Sequence, residues 1–162
     1  MPGKLSQQIT SPLSNVEIKS IFADAQTILV GYSIENTSDQ PIDYLLDWQL
    51  PEHTVINRTA NTATYDLGNT ILSIEFPSNR TIAADELTID ANSQYSNYIA
   101  IRHVFKTDTL PNPFPLYSAY CNAVFEANQK RWTRYLAPYQ NLTTTKKILA
   151  TKCIQTLITN WR

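Results

Sequence analysis

From residue 15 to residue 106, apolar side chains return at every second position, the period of a strand with one face buried. The clearest run follows the turn Asn36–Pro41. There Ile42, Tyr44, Leu46, Trp48 and Leu50 point one way and Asp43, Asp47 and Gln49 the other, with Leu45 alone breaking the rule. Pro51 ends that strand because it has no N–H to give to a ladder. Earlier, Val16, Ile18 and Phe22 open one strand, and Ile28, Val30, Tyr32 and Ile34 share a face of the next. Shorter strands are expected at 54–57, 61–66 and 70–76, with Leu67-Gly68-Asn69 as a hairpin turn. A brief strand near Leu87–Ile89 precedes a long one at 95–106, in which Ile99, Ile101, His103 and Phe105 alternate with Tyr98, Ala100 and Arg102.

About seven or eight short strands, with turn signals roughly every 8–12 residues, predict a mainly β chain folded as an immunoglobulin-like antiparallel β-sandwich. No helical pattern falls between them, which argues against a parallel α/β sheet. The segment Tyr32-Ser-Ile-Glu-Asn-Thr-Ser-Asp-Gln-Pro-Ile-Asp-Tyr44 resembles a strand–turn–strand of bacterial immunoglobulin-like and fibronectin-like domains, ApaG-type domains among them. The likeness is one turn solution. The Gly-rich stretch of those domains is missing and the C-terminal part has no counterpart in them, so the resemblance implies a class and no family.

The texture changes after residue 106. Prolines 111, 113 and 115 suit a stiff extended connector. From about residue 116 the period becomes helical. Tyr117, Cys121, Val124, Phe125, Trp132 and Tyr135 fall on one side of a wheel, and Glu126, Lys130 and Arg134 on the other. Pro138 and Asn141 interrupt the pattern, Thr143 or Thr144 can cap a second helix, and Ala150, Cys153, Ile154, Leu157, Ile158 and Trp161 form its apolar stripe. The expected organisation is an N-terminal arm (1–14), a β-sandwich (15–106), a Pro-rich linker (107–115) and a basic amphipathic helical hairpin (116–162).

Charge follows this division. Residues 1–112 carry six basic and thirteen acidic side chains, a net of −7; residues 113–162 carry seven basic side chains and Glu126 alone, a net of +6. The seven cations are Lys130, Arg131, Arg134, Lys146, Lys147, Lys152 and Arg162, and they are the candidate partner-binding residues. Because Trp132, Tyr135 and Trp161 sit on the apolar stripes, their expected use is packing, and the basic groups do not align into one phosphate-tracking stripe. Docking on an acidic protein surface is therefore the leading expectation, and nucleic-acid binding the alternative.

Several chemistries are disfavoured. With glycine at positions 3, 31 and 68 alone, neither a P-loop, nor G-x-G-x-x-G, nor a G-x-S-x-G elbow can be written. His53, His103, Cys121 and Cys153 show no metal-ligand spacing, and Asp85, Glu86 and Asp90 lack an EF-hand pattern. His103 is expected to be a partly buried structural histidine. The two cysteines are expected as buried free thiols on their helices' apolar sides, with a disulfide as the rival if the helices are staggered or crossed. The sequons at Asn36, Asn57, Asn79 and Asn141 are few enough to arise by chance in so Asn- and Thr-rich a chain.

No catalytic set, metal or cofactor is expected. The reading is a non-catalytic structural or interaction subunit of a larger assembly of the phage, injection or secretion particle type, its partners being other protein subunits, copies of itself included. An extracytoplasmic ligand-binding or adhesion module is a further alternative. No leader-like run opens the sequence and no apolar run reaches the length of a membrane span, so the expected setting is cytoplasmic or an intracellularly assembled particle. Removal of a leader would make it secreted or periplasmic.

Overall fold

The computed structural model describes residues 3–46, 54–78, 85–108 and 112–160. It is mainly β, with two C-terminal helices. The strands are β1 (Lys4–Thr10), β2 (Ser14–Phe22), β3 (Thr27–Asn36), β4 (Ile42–Leu46), β5 (Thr54–Arg58), β6 (Thr62–Asp66), β7 (Thr70–Glu75), β8 (Asp85–Ile89) and β9 (Gln94–Phe105). Helices α1 (Ser118–Leu136) and α2 (Thr144–Asn160) follow, separated by a short 3-10 turn at Ala137–Tyr139. The strand Lys4–Thr10 lies in the segment read from sequence as an N-terminal arm. Its alternation is of Leu5 and Ile9 with polar groups only, too sparse a pattern to read as a strand.

Among the described residues, seven strands form one antiparallel sheet in the order β1-β2-β3-β9-β7-β6-β5, and β4 and β8 pair separately. The long β9 is the centre of the large sheet, bonded to β3 on one side and β7 on the other. The predicted turn at Leu67–Asn69 joins β6 to β7: Gly68 takes φ +86°, and its N–H donates to Asp66 Oδ1 at 2.8 Å. A residue with a Cβ rarely adopts that backbone, so glycine belongs there. The expected extension of β4 through Trp48 to Leu50, with its end at Pro51, lies outside the described residues, as does His53.

Alternation sends the sheet's side chains into two apolar clusters, one on each face. The first holds Tyr32, Ala63, Tyr65, Ile74, Phe76 and Ile99, with Ile18, Val30, Leu72, Tyr95 and Ile101 packed against it. The second holds Ile21, Leu29 and Cys121, with Tyr98, Phe114, Val124 and Phe125 around them. Helix α1 closes this second face, crossing β2 and β9. Strands β3 and β9 are thus covered on both sides, and Leu29 and Ala100 are fully buried. Burial of a side chain such as Leu29 contributes about 2 kcal/mol.

Three expectations about burial are corrected. His103 and Phe105 are exposed, because β9 runs past the first cluster, whose last contribution from this strand is Ile101. Arg102, on the opposite face, is buried. Tyr117 and Tyr135 are largely exposed, since α1 turns only Cys121, Asn128 and Trp132 fully inward. Cys153 is exposed while Cys121 is buried, and both are free thiols.

Candidate docking surface

The linker reaches α1 through a buried ion pair. Glu75 on β7 and Arg102 on β9 are neighbours on the helix-facing side of the sheet, with Nη1 and Oε1 3.0 Å apart. Arg102 Nη1 also donates to the Asn112 carbonyl at 2.7 Å, and the Phe114 N–H donates to Glu75 Oε2 at 2.7 Å. The two charges therefore neutralise each other, and each also makes one hydrogen bond to the linker backbone. Phe114 and Leu116 then drop into the second cluster and deliver the chain to Ser118, where α1 begins.

The other end of α1 is held by the N-terminal segment. Asn128 Nδ2 donates to the Gly3 carbonyl at 3.1 Å. The indole of Trp132, 4% exposed, lies against Gly3 where any Cβ would stand. Gly3 takes φ +72°, which also favours glycine. Between these anchors, Gly31 on β3 allows Tyr98 and Phe125 to approach, their ring centroids 6.2 Å apart. Tyr98 Oη donates to Asn122 Oδ1 at 2.6 Å. Burial, and then the nearby Cys121, raise the Tyr98 phenol above its ordinary range. Burial pushes the Cys121 thiol up to about 11.

A cleft of about 470 Å³ opens beside this contact, between α1 and the polar end of the sheet face. Glu17 and Lys19 on its floor are already paired with each other at 2.5 Å. Lys4, Gln94, Tyr98 and Glu126 also line it, so side chains of both charges and uncharged polar groups face the cleft. Among the described residues no group of His, Cys, Asp and Glu is placed to hold a metal ion.

The basic residues fall into two sets. Lys130, Arg131 and Arg134 lie on the exposed side of α1. Lys130 stands 3.8 Å from Glu126, one turn back, and Arg131 Nη2 donates to Asn128 Oδ1 at 2.7 Å, so this set is partly occupied within its own helix. Lys146, Lys147 and Lys152 lie exposed on α2 beside Ile148, Leu149 and Cys153, also exposed. Arg162 lies outside the described residues, as do Trp161 and the side chains expected to complete the α2 stripe, Ile154, Leu157 and Ile158. No helix among the described residues is long and apolar enough to cross a membrane.

Sequence reasoning missed Glu75, Arg102 and Asn128. Each is a polar residue at a position that alternation or the helical wheel leaves unmarked. A faint signal exists for the first two: they fall on the inward face of strands whose other face is already apolar.

No protein-family model matches the chain. No curated protein matches it either. Among solved structures it is similar to a "Putative kojibiose phosphorylase from human microbiome", at 11% identity and a TM-score of 0.40, over 94% of this chain and 23% of that one. The chain thus spans less than a quarter of that protein's length, and a likeness at this level identifies neither fold family nor activity.

Proposed function

We propose that the chain is a non-catalytic interaction subunit of a larger protein assembly. In this reading the β domain, an immunoglobulin-like sandwich, is the scaffold, and the helical C-terminal part, folded as a hairpin, docks on an acidic protein surface. The observation that carries it is the surface of α2: Lys146, Lys147 and Lys152 are interspersed with Ile148, Leu149 and Cys153, all of them exposed. A helix that exposes apolar groups beside cations is suited to a partner whose surface combines apolar patches with acidic groups. Trp132 lies inside, against Gly3, so it does not serve as a stacking platform for nucleic acid. A multi-copy particle assembled in the cytoplasm is the setting that fits best.

The test is co-purification from the native host at low and high salt, using the full chain and a Lys146→Glu/Lys147→Glu/Lys152→Glu variant. A specific protein partner retained by the parent and lost by the variant supports the reading. Identical recovery by both, or retention of nucleic acid as the sole salt-sensitive partner, ends it.

A further inference from the structure

The large sheet has two edges, and they are built differently. At one, β5 is five residues long, pairs with β6 through a register shift between Val55 and Asn57, and ends in Arg58. A bulge and a terminal cation are devices that discourage another strand from adding. At the other, β1 pairs with β2 in unbroken register from Lys4–Ile21 to Thr10–Asn15. It is seven residues long, without proline, acid or bulge, and its one charge is Lys4 at the start. No strand among the described residues lies on its outer side. Leu5 is 75% exposed and Ile9 52%, both on the face that carries Ile18 of the neighbouring strand.

We infer that β1 is a self-association strand, on which a second copy of this chain adds antiparallel, β1 against β1, so that two sheets become one across a two-fold axis. The strand's own sequence selects this occupant. Pairing centred on Gln7 sets Leu5 opposite Ile9 of the second copy, Ile9 opposite its Leu5, and Ser6 opposite its Gln8. One arrangement therefore covers both exposed apolar residues on each copy. It also sets Lys4 opposite Thr10, so the strand's single charge never meets itself. The net charge of −1 leaves two copies with little mutual repulsion. This interface lies on the sheet edge and uses no residue of α2, so it is separable from the docking proposed above.

The experiment is sedimentation velocity on the full chain from low to high micromolar concentration, with two charge variants. Both substituted positions are exposed in the single chain, and circular dichroism verifies that each variant folds. The parent is expected to pass from monomer to dimer. Leu5→Lys/Ile9→Lys puts lysine opposite lysine at both sites and should weaken the dimer by at least about tenfold. Leu5→Lys/Ile9→Glu puts lysine opposite glutamate in the same register and should restore it, with an affinity that falls as salt is added. A parent that stays monomeric throughout overturns the inference, and so does equal behaviour of the two variants. Either result leaves the α2 reading standing, because its lysines are unaltered.

Discussion

Arg102 and Glu75 meet at 3.0 Å with both side chains almost wholly out of water, and between them they hold the backbone of Asn112 and Phe114. The attachment of α1 to the sheet therefore depends on a pair of charges whose separation in sequence hides their partnership. Replacing one partner strands the other in a medium that solvates it poorly. Glu75→Gln, close to isosteric, should cost about 3 kcal/mol in urea unfolding. It should also speed amide hydrogen exchange at Phe114, whose N–H acceptor loses its charge.

Asn36 is buried and serves both ends of the turn it begins. Its Nδ2 lies 2.7 Å from the Gln40 carbonyl and 3.0 Å from that of Ile89, while Oδ1 accepts from Ser38 N–H and Oγ. It thereby joins the end of β3 to the end of β8. Asn36→Asp keeps the shape but turns a carboxylate oxygen toward those carbonyls, and should lower stability by about 2–3 kcal/mol near neutral pH. Thermal unfolding at pH 7 and again at pH 4 checks this. The loss should shrink at the lower pH, where protonation of the substituted carboxyl restores a donor.

Gly31 sits where an added Cβ would lie 3.2 Å from Tyr98 Cε1 and 3.4 Å from Phe125 Cε2. Gly31→Val exceeds that space and should displace Phe125 and loosen α1, at a cost of about 1–3 kcal/mol. The measurement is the denaturant midpoint, together with the rate of proteolysis within α1.

Cys121 and Cys153 should differ sharply toward a thiol reagent. At pH 8 one thiol per folded chain, Cys153, reacts quickly, and Cys121 reacts only as the chain opens, because it is buried with its pKa pushed up to about 11. Tandem mass spectrometry of partially labelled protein identifies the site. Since folding favours the protonated Cys121 thiol, stability is unaffected below its ordinary value of 9.0 and declines as pH rises from there toward about 11. Cys121→Ala should flatten that decline.

The strands were legible because period-two alternation is written in the side chains themselves. The segments 54–57, 61–66 and 70–76 reappear as β5, β6 and β7 to within a residue or so at each end. The helices were legible by the same logic at a longer period, though with less success on burial. Tyr117 and Tyr135 share a wheel face with Cys121, yet both stay largely exposed while Cys121 is fully buried. The basic residues of the C-terminal part were legible as charge. What each charge is bonded to was not, as the Arg131–Asn128 and Lys130–Glu126 contacts show.

Composition and alternation by themselves determined a mainly β chain, the change to helix after the prolines, and the split between an acidic β region and a basic end. These are local properties: each residue type records which periodicity its neighbours can sustain. Only the tertiary structure decided that β9 is central, that Lys4–Thr10 forms an edge strand, and that Arg102 is buried while His103 is exposed. Alternation assigns residues to two faces without saying what will cover either one. That depends on which distant segment folds over the sheet, and here the covering segment, α1, is fastened by Glu75, Arg102, Gly3 and Asn128, residues far apart in sequence that meet only once the chain has folded.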